Sequence, residues 1–293
     1  MKVCPKIFVI YHKPFEVFKN DVFVPIQTGT AFSDVDLGFM KDTGGDNIGK
    51  KNHQYGELTA WYWIMQNYLP QHPEITHVGF CHYRRFLEYC PTQRKKLPFS
   101  KILTSDFSQM FNSESYAKDT VRKAIADYDI LLPAQEHLFT WRFRFIRSVR
   151  SQFTYMHPKE DLSHMEECYA RLYPESKQTI AKFLGGTKMY TCLNFVMRKD
   201  LFVDMVKTIL SVLDLVSSEY GWSGSSDYRS IRSPAFLTER FFNVWLMEKS
   251  RKMPLKIKEV NSYLLCDSLD STITMRMWID AIAARAKHLI YSK

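Results

Sequence analysis

The chain has 293 residues, enough for one large α/β domain or two small ones. Its 45% hydrophobic and 24% charged residues are ordinary globular values, and no run approaches the ~18 apolar residues of a membrane span. Lys and Arg outnumber Asp and Glu by 40 to 31, a net charge of +9; this favours anionic partners without choosing between a nucleoside diphosphate, nucleic acid and an anionic membrane face.

The opening apolar run is short and broken by His12 and Lys13, too short for a signal sequence. The six cysteines show no CxxC pairing and no metal-ligand spacing, so they read as reduced thiols of a cytoplasmic protein. Lys6–Tyr11 is a first buried strand, and the loop after it makes His12 and Lys13 candidates for nucleotide contact. Val22–Gln27 is a second strand, with Pro25 suggesting an edge position or an early end. Residues 28–51 are a polar, glycine-rich loop in which Gly44, Gly45 and Gly49 permit close backbone approach to a ligand.

Asn52 is placed to cap a helix whose apolar face is Leu58, Trp61, Tyr62, Met65 and Leu69, ended by Pro70. Ile75–Phe80 is a buried strand running into His82-Tyr83-Arg84-Arg85. Ligands of open α/β sheets bind at the carboxyl ends of strands, so this cluster is the first place to look for chemistry. Val121–Tyr128 closes a helix and Asp129–Leu132 is a strand stopped by Pro133. Arg142, Arg144, Arg147 and Arg150 interleave with Trp141, Phe143, Phe145 and Ile146, a pattern that suits nucleic acid, a membrane surface or a half-buried insertion.

A further helix has His157 at its cap position and Pro158 at its first position, with Glu160 and Asp161 in its first turn. Lys188–Met197 is a strand, Lys199 to about Ser218 a helix, and Pro234 opens the helix carrying Glu239 and Arg240. Lys256–Tyr263 is the last strand. Residues 271–293 form an amphipathic basic helix that either packs on the body or lies on anionic lipid, which gives domains of 1–270 and 271–293.

No P-loop, dinucleotide fingerprint, HExxH or GxSxG is present, which weakens kinase, dehydrogenase, metalloprotease and hydrolase readings. Strands alternating with helices give an α/β fold. Cations stand at strand or loop ends (His82, Arg84, Arg85, Arg232) and carboxylates at helix starts (Asp46, Asp161, Glu239). A nucleotide-sugar glycosyltransferase needs both, cations for the departing diphosphate and a carboxylate base for the acceptor hydroxyl. Asp34-Val35-Asp36 spells DxD, but no strand precedes it. Magnesium or manganese is therefore not favoured, no cofactor or metal ligand is assigned, and the cations of the HYRR cluster stand in for a metal.

The ordered blocks GDNIGKKNHQYGELTAWYW, HVGFCHYRRF, DYDILLP, HPKEDL, LNFVMRKDLF and SPAFLTERFFNVWL resemble a bacterial family of capsular and exopolysaccharide glycosyltransferases long catalogued as a domain of unknown function. The resemblance runs from about Lys6 to Lys249, and it departs from the pattern at Ser233-Pro234-Ala235, where a glycine usually precedes the phenylalanine. It implies a GT-A-like, Rossmann-related domain with a mixed central sheet. It also implies a UDP-sugar donor, galactofuranose in some members, and a glycan or lipid-linked glycan acceptor of a growing surface polysaccharide.

Carried over by block, it offers Asp46, Asn47, Asn52, Tyr55, Glu57, His82, Tyr83, Arg84, Arg85 and Asp129, all but Glu57 and Asp129 assigned with His12 and Lys13 to the donor side. His157, Asn194, Arg232 and Arg240 fall on the acceptor side. By analogy of element order, Glu239 is the expected base of an inverting transfer, with Asp161 second. The expected location is the cytoplasm or the inner face of the membrane. The alternatives are a sugar-phosphate transferase and, less favoured, a nucleic-acid-binding protein.

Overall fold

The computed structural model describes residues 3–90, 100–113, 115–138, 147–223 and 227–268. The expected helix over 271–293 and the residues Arg142 and Arg144 lie outside them.

The strands are β1 (Pro5–Tyr11), β2 (Phe23–Gln27), β3 (Met40–Lys41), β4 (His77–His82), β5 (Arg85–Leu87), β6 (Ser100–Leu103), β7 (Ile130–Pro133), β8 (Glu136–His137), β9 (Lys188–Met189), β10 (Phe195–Arg198), β11 (Ile257–Val260) and β12 (Ser262–Cys266). The helices are α1 (Asn52–Tyr55), α2 (Leu58–Trp63), α3 (Thr104–Phe111), α4 (Arg122–Ala126), α5 (Val149–Met156), α6 (Lys159–Leu172), α7 (Lys177–Gly185), α8 (Lys199–Glu219), α9 (Tyr228–Ile231) and α10 (Ser233–Lys252). The central sheet runs β11-β7-β10-β4-β1-β2-β3. All neighbours along it are parallel except β10, which is antiparallel to both β4 and β7. This is the expected α/β fold with a mixed central sheet.

Both faces of the sheet are covered, so its strands are apolar on both sides. On β1, Phe8 and Ile10 enter the core beneath α2, α6, α8 and α10, while Ile7, Val9 and Tyr11 enter a second core with Phe18, Phe86, Phe107 and Phe111. Gly79 of β4 pairs with Val196 of β10. A Cβ there would stand 2.8 Å from Val196 Cγ2 and 2.9 Å from the Phe195 carbonyl oxygen.

Pro25 lies within β2 rather than ending it. Ile7 N donates to Val22 O and Thr28 N to Tyr11 O, so the even-numbered residues of β2 bond to β1. Pro25 therefore presents its missing N–H to the other side, where β3 joins only from Ile26 onward.

Several boundaries differ from expectation. The helix read from Asn52 to Pro70 is broken at Gly56, whose φ of +55° is left-handed, and it continues as α2 and a π-helical turn over Ile64–Tyr68. Asn52 is not an N-cap; its amide donates to the Gly56 carbonyl at 2.9 Å and to Thr59 Oγ1 at 2.8 Å. Pro158, not His157, stands at the cap of α6. The strand read over Lys188–Met197 is two, β9 and β10, split where Cys192 and Leu193 take positive φ of 56° and 20°. The last expected strand is likewise two, β11 and β12, because β12 leaves the path of the main sheet to pair with β5 and β6. Among the described residues no helix is long and apolar enough to cross a membrane.

Candidate active site

Strands β1, β4 and β7 are parallel, and antiparallel β10 begins where β4 ends. The carboxyl ends of the first three and the start of the fourth thus share one edge, the edge at which open α/β sheets bind ligands. His12 follows β1, His82 ends β4, Arg85 opens β5, Glu136 opens β8 after β7, and Cys192 leads into β10. From the helical layer, Gly56-Glu57, Arg232 and Glu239 reach the same region.

These groups feel one another. Burial raises the Glu57 carboxyl above the usual range; Arg85 and Arg232 oppose the shift and Glu239 adds to it. Burial likewise raises Glu136, with Glu239 adding, while the Thr191 hydrogen bond and Arg85 oppose. Burial pushes the Cys192 thiol up to about 12, against the pull of Arg85. The His82 imidazole is driven down to about 3, first by burial and then by Arg85, His12, Arg84 and Lys13. His12 is lowered by burial, Lys13 and Arg232. The result is a cleft holding three carboxylates and two guanidinium groups beside two histidines kept neutral.

Glu239 is the most firmly held of the three acids. Its Oε1 accepts the backbone N–H of Cys192 at 3.0 Å, and its Oε2 faces Arg240 Nη1 at 3.2 Å. Arg240 is only 4% exposed against 24% for Glu239, so the arginine is the buried anchor and the carboxylate the accessible end. Arg240 is fixed in turn by Gln152 Oε1 at 2.6 Å and the Phe236 carbonyl at 2.9 Å. One turn along α10, Asn243 accepts from Tyr190 N at 2.9 Å and donates to Tyr190 O at 3.0 Å, pinning the chain that leads to Cys192. Positive φ at a non-glycine residue is costly and persists where surroundings over-determine it. Here the strained peptide aims its N–H at the carboxylate.

Gly56 makes room for Arg232, because a Cβ on it would stand 2.5 Å from Arg232 Nη2. Arg232 also lies over the exposed ring of Tyr228 at 5.4 Å.

The other expected site residues divide. In the HYRR cluster, His82 and Arg85 belong to the charge cluster. Tyr83 is buried and stacks on Tyr11 at 5.6 Å, while the Arg84 guanidinium reaches the Leu265 carbonyl at 3.3 Å. Lys13 is exposed beside His12. The glycine-rich loop is tied to its own neighbours. Asp46 accepts from Tyr62 Oη and Gln66 Nε2, Asn47 closes a turn on Gly49 N, and Tyr55 is buried near Lys51.

Asp129 precedes β7, at the opposite edge of the sheet, paired with Arg198 at 2.8 Å. His157 lies between the rings of Phe153 and Phe236, its Nδ1 3.2 Å from the Arg229 carbonyl. Burial and Arg240 lower it to about 4. Asp161 is fully buried, its Oδ1 accepting from Ser223 N at 3.0 Å, and Asn194 is buried at the start of β10. Asp34 and Asp36 are exposed between β2 and β3, with Asp36 paired to Lys41 at 2.7 Å.

Two residues escaped the sequence reading. Glu136 follows a strand end and was open to the rule that selected His82. Asp42 is a buried hub that accepts from Gly29 N, Thr30 N, Thr30 Oγ1, Thr59 Oγ1 and Asn52 Nδ2, joining the post-β2 loop to α1 and α2. Among the described residues no group of three or more His, Cys, Asp or Glu side chains is disposed to hold a metal ion.

Residues 6–250 match the family described as domain of unknown function DUF4422. The chain belongs to that family. The ordered blocks of the sequence point the same way. No curated protein matches the chain. Among solved structures, this DUF4422 chain is similar to the apo structure of the WbbM bifunctional glycosyltransferase, with a TM-score of 0.76 and 27% identity. The similarity covers 89% of this chain and 45% of that one, so the DUF4422 chain spans less than half the length of the protein it resembles. Its mixed sheet is a glycosyltransferase fold.

Proposed function

We propose that the protein is a glycosyltransferase that moves a sugar from a UDP-linked donor to a hydroxyl of a surface-polysaccharide acceptor. The observation that carries the proposal is the cleft in which Arg85 acts on Glu57, Glu136 and Cys192, Arg232 acts on Glu57, and Glu239 acts on both other carboxyl groups. Its setting, at the strand-end edge of a sheet shared with a glycosyltransferase, supports it.

The acceptor oxygen attacks the anomeric carbon, the bond from that carbon to the diphosphate oxygen breaks, and the hydroxyl proton passes to Glu239. Arg85 and Arg232 stabilise the charge gathering on the departing diphosphate. Arg240 and the Cys192 N–H hold Glu239 aimed. His82 and His12, being neutral, serve as hydrogen-bonding partners rather than charges. A single displacement inverts the anomeric centre. UDP-galactofuranose is the first donor to assay, because members of the resembling family use it.

Calorimetric titration with UDP tests the reading. Hydrogen bonds to a charged group contribute about 1.5–3 kcal/mol each, so Arg85→Ala and Arg232→Ala should each weaken UDP by about 10- to 150-fold. No heat of UDP binding to the unaltered chain, with or without added magnesium or manganese, sinks the proposal.

A further inference from the structure

A second concavity, of about 510 Å³, opens between α7, α10, β11 and the two-stranded β8–β9 ribbon. Gln178, Thr179 and Lys182 of α7 form one wall, with Gln135 and Tyr190 at the ribbon end. Such a volume lies within the ~300–1,000 Å³ of small-molecule sites.

The groove is tied to the cleft by covalent and hydrogen-bonded continuity. Gln135 lines the groove and its chain neighbour Glu136 joins the charge cluster. Tyr190 lines the groove and Cys192, two residues on, donates to Glu239. Both Tyr190 main-chain groups are held by Asn243, one turn beyond Glu239 on α10. The groove is therefore joined to the Glu239 carboxylate through Tyr190 and Asn243.

The lining chemistry selects the ligand. The amides of Gln135 and Gln178 match sugar hydroxyls, and the hydroxyls of Thr179 and Tyr190, which donate to Glu248 and Glu259, keep lone pairs that can accept from a sugar. Leu246 and Ile257 give an apolar floor for the C–H faces of sugar rings. Of the two basic lining residues, Lys182 and Arg251, the second is paired with Glu248 at 2.8 Å, so the groove carries less positive charge than a nucleotide diphosphate would draw on. We propose that this groove binds the glycan chain of the acceptor, positioning its growing end in the cleft. The proposal rests on the transferase reading above.

The test uses the full chain, an array of bacterial surface oligosaccharides and a parallel UDP titration. Gln178 and Lys182 are exposed and one turn apart on α7, so the double substitution Gln178→Ala, Lys182→Ala leaves the core intact. The expected result is retention of a subset of glycans by the unaltered chain, at least ten-fold weaker retention by the double variant, and UDP affinity within two-fold of the original. Failure of the unaltered chain to retain any array glycan overturns the groove assignment, as does equal retention by the double variant. Loss of UDP binding in the unaltered chain instead removes the transferase reading and the groove's role with it.

Discussion

The backbone N–H of Cys192 and the carboxylate of Glu239 meet at 3.0 Å across 47 residues of sequence. The contact joins the left-handed turn before β10 to the middle of α10, and it leaves Glu239 oriented on one oxygen by a peptide and on the other by Arg240. Glu239→Gln keeps the side-chain length and an oxygen for Cys192 but removes the proton acceptor. General-base contributions run to about 10²–10⁴-fold, so the transfer rate at saturating donor should fall by that factor. UDP affinity, measured on the same sample, should stay within a few-fold. A variant that transfers at the original rate removes Glu239 from the base role.

How much of this was legible in the sequence depends on the range of the interaction. β1, β4, α8 and α10 were readable because each carries its own periodicity and punctuation, such as Pro234 at the start of α10. His82 and Arg85 were readable because they stand at and just past the end of a buried strand. Gly56 lies just before the apolar stripe, and nothing local shows that its Cβ space is taken by Nη2 of Arg232, 176 residues on. The partition of HYRR into cleft and scaffold was equally hidden, since it turns on the distant Leu265 carbonyl that takes Arg84. Glu136 acquires its setting only when β8 pairs with β9, and Asp42 only when the post-β2 loop folds onto Thr59.

Asp42 is the structural counterpart of the cleft acids. It is fully buried, and its strongest bonds are from Thr59 Oγ1 at 2.7 Å and Thr30 Oγ1 at 2.8 Å. Asp42→Ala orphans several buried donors at once. Each costs about 1–3 kcal/mol, so a loss of at least about 3 kcal/mol is expected. Asp42→Asn keeps one acceptor oxygen and should lose less. Urea unfolding followed by tryptophan fluorescence reads both, and an Asp42→Ala midpoint equal to the parent's would remove Asp42 as a hub.

Gly79 offers a test of the sheet itself. Gly→Ala commonly stabilises by about 0.4–1 kcal/mol through the unfolded chain. Here the new methyl meets Val196 Cγ2 at 2.8 Å and the Phe195 carbonyl at 2.9 Å, and backbone cannot yield as a side chain can. Overpacking costs about 1–3 kcal/mol and outweighs the entropic gain. Gly79→Ala should therefore lower the thermal midpoint, and a rise would show that β4 and β10 are not packed as described.

The neutral histidines give a pH signature with a definite sign. His82 titrates at about 3 in the fold, against an ordinary value near 6.5, because burial and then Arg85, His12, Arg84 and Lys13 disfavour its charged form. Its Nδ1 is buried without a hydrogen-bond partner among the described residues. The unfolded chain thus binds a proton that the folded chain refuses, so stability from this group is complete above about pH 6.5 and is lost as pH falls toward 3. The slope is at most about 1.4 kcal/mol per pH unit for one such group. His157, held at about 4 by burial and Arg240, contributes with the same sign. His82→Gln should flatten the fall in unfolding free energy between pH 6.5 and the onset of acid unfolding, while a His157→Gln control flattens it separately. Superimposable stability curves for His82→Gln and the parent would show that His82 titrates in the fold as it does in the unfolded chain, and with it that the cleft is far wetter than its packing implies.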